Sequence, residues 1–572
     1  VRGALFLAAV LLGGSPAALA DEPALRFTPV PGSAGVDLVM TSGGMPSREI
    51  LEVNGGGIAL FDYDRDGDAD LFLANGATLD DPEHGPGSRL YANLGDGTFE
   101  DATGRAGIEL RRWAMGVAVG DYDGDGWDDL YVTCHGPNVL LRNAPGADGG
   151  RRFVDVSEAA RVADDRWSTS AAFSDLDGDG DLDLYVVNYL EFDPADPPSR
   201  GGKAFKGVPV MAGPRGLEAQ PDALYENLGD GRFREVTEAA GCRVETGLNY
   251  GLGVRIFDFD GDGRRDVFVG NDSTADHLFR NLGGLTFEDV AVVAGVAANG
   301  VGTTQATMGI GQVDADGNGA LDLFLTVFSD DTNTLHLNLG DGFFDDRSAQ
   351  YGVAAVSRSY LGWGCGFYDF DLDGDEDLFV ADGHVYPEMD SPQVGASWAQ
   401  RPLLFERRGG RFAAAGCAEP WCTRRYHGRA TAFGDVDGDR DVDVLMTTLN
   451  GPLLVLRNDA PHRPTLAVRL EAPPPNRHGY GSRVEVATAA GVQRRWITGG
   501  GSYQSIDQPQ AFFGLGDRTE GTVRVRVVWP DGAVTELADV PADLRLVIYR
   551  TAGGTSPVQS QRQSSSTKRS EG

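Results

Sequence analysis

The stretch LGVRIF-DFDGDGRRD-VFVGND, residues 252–272, decides the fold: alternating aspartates cross a glycine-bearing loop between two short runs of β-forming residues. Six further copies of the nine-residue loop occur in this chain. They read DYDRDGDAD (62–70), DYDGDGWDD (121–129), DLDGDGDLD (175–183), DADGNGALD (314–322), DFDLDGDED (369–377) and DVDGDRDVD (435–443). Successive first aspartates lie 59, 54, 83, 56, 55 and 66 residues apart. One unit of roughly 55 residues is therefore repeated with insertions, the mark of a propeller or solenoid.

Oxygen donors in this pattern suit a hard cation. Carboxylates at loop positions 1, 3, 5 and 9, with the carbonyl of position 7, can wrap calcium, and glycine at position 6 allows the sharp turn. The candidate ligands are Asp62, Asp64, Asp66, Asp68 and Asp70 in the first loop; Asp121, Asp123, Asp125, Trp127 and Asp129 in the second; Asp175, Asp177, Asp179, Asp181 and Asp183 in the third. They continue as Asp258, Asp260, Asp262, Arg264 and Asp266, then Asp314, Asp316, Asn318, Ala320 and Asp322. The sixth loop offers Asp369, Asp371, Asp373, Asp375 and Asp377, and the seventh Asp435, Asp437, Asp439, Asp441 and Asp443. An EF-hand would need Glu at position 12 and flanking helices. Position 12 of the first loop is Leu73, and DLFLAN has strand character, so the helical hand is excluded. Asn318 removes one charge from the fifth site. Arg440 stands at position 6 of the seventh, where it must adopt a left-handed backbone and brings a cation close, so that site is expected to be the weakest of up to seven.

Each repeat reads as four strands: a small-residue strand before the loop, an apolar strand after it, a third ending in an asparagine turn, and a fourth of the type FEDV. LYENLGDGRFREVT (224–237) and LFRNLGGLTFEDV (278–290) are examples. This predicts an all-β, seven-bladed β-propeller over residues 21–460, with its Gly- and Ala-rich strands innermost around the channel. The seventh repeat lacks its fourth strand. RFTPVPGSAGV (26–36) resembles TFEDVAVVAGV of the fourth repeat and is expected to supply the missing strand, closing the ring and removing an exposed edge.

The tandem DxDxDG units with NLGDGxF turns resemble FG-GAP/VCBS repeats. Beyond Pro464, NRHGYGSRVEVATAAGVQRRWITGGGSYQSIDQPQAFFGLGD followed by VRVVWPDGAVTEL resembles the ASPIC/UnbV domain. The resemblance spans residues 26–550 and implies the arrangement of the cartilage acidic protein family in its bacterial form, without an EGF-like module. Residues 464–550 are expected to form a small β domain in which 499–501 and 529–532 are turns and Arg494, Arg495 and Trp496 lie on a solvated strand face. GGGS is no phosphate loop, since it lacks the G-K-[ST] context. The Ser/Gln-rich residues 551–572 read as a disordered tail.

The remaining features place the protein outside the cytoplasm. Arg2, the apolar run 4–12 and Ala18-Leu19-Ala20 make a signal peptide with cleavage expected after Ala20. The residue directly after that site is Asp21, not Cys, and no later run is long enough for a transmembrane helix. Of the five cysteines, Cys417 and Cys422 in CAEPWC can pair locally, whereas Cys365 in WGCGFYDF reads as a small core residue. A net charge of −36 over 572 residues disfavours nucleic acid and anionic lipid. Neither HExxH nor GxSxG occurs.

The expected function is that of a secreted or periplasmic, monomeric, calcium-binding and non-catalytic adhesion or interaction protein whose partner is an extracellular protein or glycan. The alternative is a carbohydrate-active protein, either a lectin or a polysaccharide-degrading enzyme. Both would use the face opposite the aspartate loops, where the long connections 190–222 and 381–402 and the residues His384, Tyr386, Trp398, Arg424, Arg425, Tyr426, His427 and Arg429 are expected.

Overall fold

The computed structural model describes residues 25–550 apart from 148, 199–202, 245–246, 393, 395, 418 and 517–520. The expected leader and tail lie outside the described residues. The chain is all-β and builds one four-stranded antiparallel sheet around each aspartate loop. In the second repeat the strands are Ala114–Gly120, Asp129–Cys134, Val139–Pro145 and Arg151–Asp155, joined in sequence order. Their first strand is buried along its whole length, while the fourth is mostly exposed.

Seven such sheets stand in cyclic order. Their innermost strands are Ile58–Phe61, Ala114–Gly120, Ser168–Ser174, Gly251–Phe257, Ile310–Val313, Gly362–Tyr368 and Gly428–Gly434. Each neighbours the next, and the last returns to the first. This is the arrangement of a β-propeller. Small residues are needed where these strands converge: a Cβ on Gly116 would lie 2.4 Å from the carbonyl oxygen of Thr169, and one on Gly309 would lie 2.1 Å from that of Trp363.

The ring closes where the segment Phe27–Pro29 joins the seventh repeat. Phe27–Pro29 pairs antiparallel with Leu454–Asn458, placing Phe27 opposite Asn458. Trp421 Nε1 donates to the Phe27 carbonyl at 2.9 Å, and the Phe27 ring packs edge-on against Phe370 and Trp421. Cys417 and Cys422 are disulfide-bonded, while Cys134, Cys242 and Cys365 are buried thiols.

The C-terminal segment forms a second all-β unit. Thr465–Glu471 lies between Gln510–Gly514 and Leu544–Tyr549, and a four-stranded sheet runs Val492–Trp496, Arg483–Ala487, Thr522–Val528, Val534–Pro541. Alternating residues Val484, Val486, Val523, Val525 and Val527 bury one face of that sheet in the same core as Leu466, Val468, Leu470, Leu546 and Ile548 of the other. No helix among the described residues is long and apolar enough to cross a membrane.

Residues 499–508 are more than a turn. They leave the C-terminal unit and run into the propeller's channel, reaching the innermost strand of every repeat. Ile506 N donates to Ile58 O at 2.8 Å, Val117 N to Gln504 O at 3.0 Å, and Ile310 N to Ser502 O at 3.3 Å. Arg255 donates to Gly500 O at 2.6 Å, Cys365 N to Ser502 Oγ at 2.9 Å, and Phe433 N to Asp507 Oδ1 at 3.0 Å. A Cβ on Gly499 would lie 2.1 Å from Phe173 O, so the third repeat also touches this segment. Tyr503 is fully buried at the far end, edge-on to Trp363 at 5.0 Å, with its hydroxyl on Asn54 O at 3.3 Å. Glycines at 499–501 fit because a Cβ on Gly499 or Gly500 would press on the channel wall at Phe173 O or Ala172, and one on Gly501 would strike the segment's own backbone at Ser505.

Candidate functional site

All seven aspartate loops have one backbone shape. The chain turns left-handed twice in each, at position 4 and at position 6, with φ between +62° and +106° at every one of these residues. Glycine serves most of them, but Arg65 and Leu372 hold position 4 and Arg440 holds position 6 at φ +79°. Position 6 alone was expected from the sequence; the left-handed position 4 was equally legible from its five glycines.

Two turns of this hand fold the side chains inward over the loop's own amides. The position-7 N–H donates to the position-5 side chain in all seven, for example Trp127 to Asp125 at 3.1 Å and Ala320 to Asn318 at 2.7 Å. At position 1, Oδ2 of Asp62, Asp121 and Asp314 accepts the amide of Gly67, Gly126 and Gly319 at 3.1, 2.9 and 3.1 Å. The other oxygen, Oδ1, of these same three aspartates is buried with no hydrogen-bond donor among the described residues.

Carboxylate oxygens converge within 4.8 Å of one another in Asp62/Asp64/Asp66, Asp121/Asp123/Asp129, Asp175/Asp177/Asp183, Asp258/Asp260/Asp262 and Asp314/Asp316/Asp322, and in two further groups. Positions 1 and 3 thus meet in each of these five, joined by position 5 or by position 9. Burial, reinforced by the neighbouring carboxylates, raises Asp62 to about 6 and Asp121 to about 7. Burial likewise raises Asp70 to about 9 and Asp183, Asp266 and Asp322 to about 8, against the amides they accept. Buried oxygens without donors, crowded by like charges, are a poor arrangement for the protein alone and a fitting one for a divalent cation. Hard oxygen donors of this kind match calcium.

The position-9 aspartate has a second task. Its two oxygens accept the position-2 amide of its own loop and the amide of the asparagine ending the third strand, as Asp183 does from Leu176 and Asn227, both at 2.9 Å. That asparagine then reaches into the preceding repeat. Asn143 Nδ2 donates to Tyr63 O at 2.9 Å, Asn227 to Tyr122 O at 2.8 Å, Asn281 to Leu176 O at 2.7 Å, and Asn338 to Phe259 O at 2.8 Å. Asn458 reaches Phe370 O and Asn93 reaches Val436 O, each at 2.9 Å. The sixth repeat differs, where Arg407 Nη2 takes the place of the amide and donates to Ala315 O at 2.6 Å. A closed belt of seven side-chain bonds therefore links each loop to the one before it. The NLGDG motif was legible as a turn; its inter-repeat bond was not.

The C-terminal unit covers this same face and grips six loops. Arg469, Arg494 and Arg545 reach the position-1 carboxylates Asp62, Asp314 and Asp435, the first two at 3.5 and 3.1 Å. At position 8, Asp128 meets His478 at 2.8 Å and Arg477 at 3.5 Å, Glu376 meets Arg495 at 3.2 Å, and Arg265 donates to Pro530 O at 3.2 Å. Asp128 is fully buried, yet its hydrogen bond with His478, together with Arg477 and Arg65, holds it below the usual carboxylate range. Arg494 and Arg495 are therefore docking residues rather than a solvated face. Beside the third loop, Asp175, Asp177 and Asp179 instead border a cleft of about 1180 Å³.

On the opposite face the long connections converge as expected, but three of the singled-out residues, His384, Trp398 and Arg429, are internal. Arg429 is fully buried over the Trp363 ring at 4.3 Å and donates to Val53 O at 2.5 Å and to Gly383 O at 3.1 Å, and burial pulls its pKa down to about 9. His384 is 1% exposed and bonded to Ser329 Oγ at 2.9 Å. Tyr386 is half-buried, Trp398 is buried with its ring tilted against His427 at 4.2 Å, and Arg424 and Arg425 remain exposed.

A ring of four-stranded sheets carrying aspartate loops on one face, closed by a β unit that plugs its channel, defines the class: an acidic-loop β-propeller joined to a C-terminal β domain. The match to known families agrees. The family model described as FG-GAP-like repeat matches residues 62–132, 122–186, 212–269, 258–325 and 314–380, and the one described as ASPIC and UnbV matches 472–555. This chain belongs to the FG-GAP-repeat proteins with a C-terminal ASPIC/UnbV domain. It is similar to cartilage acidic protein 1 of Mus musculus, 26% identical over 523 residues covering 86% of this chain and 73% of the mouse protein. It is also similar to the Homo sapiens protein of that name, 26% identical over 503 residues covering 83% and 69% of the two chains. Among solved structures, an Agrocybe aegerita lectin aligns with a TM-score of 0.35 at 15% identity, over 68% of this chain and 84% of that one, too distant to carry an argument.

Proposed function

We propose that this protein is an exported, calcium-binding, non-catalytic interaction module. The observation that carries the reading is the set of buried position-1 oxygens without donors, each within 4.8 Å of further carboxylate oxygens, repeated around one face. Calcium would be held by the aspartates at positions 1, 3, 5 and 9 and would supply the positive charge that these clusters need to stay folded. What the chain's own residues do is orient those carboxylates through the loop amides, and tie neighbouring loops together through the asparagine belt. The metal is structural in this reading, and recognition belongs to the opposite face, where the long connections converge on a rigid frame. The similarity to cartilage acidic protein 1 and the hydrophobic leader of the sequence support an extracellular or periplasmic setting.

Thermal unfolding of the chain from Asp21 onward, with millimolar calcium and with excess chelator, tests this together with metal counting by elemental analysis. A calcium-dependent rise in Tm with six or seven ions bound is expected, since a ligand held only by the folded state stabilises it. An unchanged Tm with no bound metal would overturn the calcium reading.

A further inference from the structure

The channel mouth on the face away from the aspartate loops holds a cup of about 790 Å³. We infer that this cup binds the end of a glycan, taking a pyranose sugar between an aromatic wall and a polar one. The inference rests on the interaction-module reading and gives it a site and a ligand class.

The cup is blind. Trp363, Leu252 and Met308 form its floor, and beneath them Tyr503 of the channel segment closes the way through. A ligand therefore enters by its end and cannot thread the propeller. One wall is aromatic: Phe205 on the hairpin Ala204–Phe205/Val208–Pro209, Phe328 and Tyr386 stand with ring centroids 5.5 to 5.9 Å apart, all half-buried. The hairpin is held over the mouth by Lys206, whose Nζ lies 2.9 Å from Asp330. This joins the 190–222 connection to the fifth repeat.

The fourth repeat supplies polar groups. Asp272 accepts Tyr189 Oη at 2.6 Å and Ser273 Oγ at 2.8 Å, one donor on each oxygen, so lone pairs of both remain for a ligand hydroxyl. Asn54, at the floor, is 2% exposed and its Nδ2 has no acceptor among the described residues.

Charge narrows the ligand further. In a chain of net charge −36, the cup is balanced: Asp330 is paired with Lys206, and Asp272 and Asp331 are matched by Arg215 and Arg358. Neither a cation nor a polyanion is favoured by such a lining. A neutral ligand with an apolar face and several hydroxyls is, because aromatic rings cover the C–H face of a pyranose while a few fixed donors and acceptors read its hydroxyls.

The test uses the calcium-loaded chain in isothermal titrations with maltotetraose, cellotetraose and chitotetraose, alongside a glycan array. At least one oligosaccharide is expected to bind. Tyr386→Ala should weaken it tenfold or more, and so should Gly213→Trp, whose new side chain starts 3.9 Å from Tyr386 Oη and fills the cup. Arg152→Ala, on the exposed outer strand of the second repeat, should leave the affinity unchanged. Calcium-dependent Tm values of each variant show that the fold is kept. Absence of binding to every glycan, binding that survives both cup variants, or a cup occupied by a peptide would overturn the inference while leaving the calcium reading intact. Loss of the calcium-dependent Tm shift would overturn that reading separately.

Discussion

Arg494 and Asp314 share one carboxylate between two domains: Nη1 of the arginine lies 3.1 Å from Oδ2, while Oδ1 of the same aspartate faces the fifth loop without a donor among the described residues. The arrangement assigns one oxygen to the C-terminal unit and leaves the other for a metal. Arg469 repeats the pattern at Asp62. Arginine and metal ion compensate the same loop, so each should lessen the need for the other.

From this, Arg494→Met should cost more stability in chelator than in calcium. Loss of a charge-assisted bond is expected to cost about 1–2 kcal/mol without metal and less with it. Chemical denaturation of the variant in both conditions measures the difference; equal losses would show that arginine and metal act independently.

The asparagine belt predicts a large effect from a small change. Asn227→Ala would leave Tyr122 O and Leu182 O, now bonded at 2.8 and 3.0 Å, without their partner in a buried setting. About 2–4 kcal/mol should be lost. Leu228→Ala, at a 40% exposed neighbour, should change stability by less than about 0.5 kcal/mol. Urea midpoints of the two variants compare them directly.

Tyr503→Ala should leave a hole at the end of the channel segment, since Tyr503 is fully buried against Trp363. A loss of about 3–5 kcal/mol is expected, as for other buried aromatic truncations. Tryptophan emission should shift to the red as water reaches Trp363, and an unchanged spectrum and Tm would show that the plug contributes little.

Acid should destabilise the protein through His384. Burial, with Arg429 and Lys206 nearby, lowers its pKa from 6.5 to about 3, and its Nδ1 accepts the Tyr386 amide at 3.0 Å. The folded state therefore keeps this ring neutral when the unfolded chain takes up a proton. Its contribution is complete above pH 6.5 and is lost progressively as pH falls from 6.5 toward 3, by about 1.4 kcal/mol per pH unit. Between about pH 7 and pH 5, His384→Gln should lose less stability than the unmodified chain by about 2 kcal/mol; parallel acid limbs would refute the assignment.

The repeat, its four-strand order and the family were legible because each rests on local signals. Aspartate and glycine spacing, alternating apolar residues and asparagine turns are properties of short segments, and seven copies make them unmistakable. The C-terminal strands, such as RVEVA and VRVRVVW, were legible for the same reason. Even the pairing of Phe27–Pro29 with the last repeat could be argued, because the seventh copy lacks a strand that the N-terminal segment resembles.

Tertiary structure alone decided the contacts that carry no local signature. GGGSYQSID reads as a polar turn, and nothing in its composition says that it fills a channel; that follows from the ring leaving a narrow axial space next to where the C-terminal unit docks. Arg494 and Arg495 read as a solvated strand face until the fifth and sixth acidic loops are brought against them. His384 and Arg429 read as surface recognition residues, yet the converging connections bury both, and backbone carbonyls rather than a carboxylate receive the arginine. Sequence spacing determines where a loop can turn and which atoms it can offer. Which distant atoms receive them depends on the closure of the ring, a property of all seven repeats together.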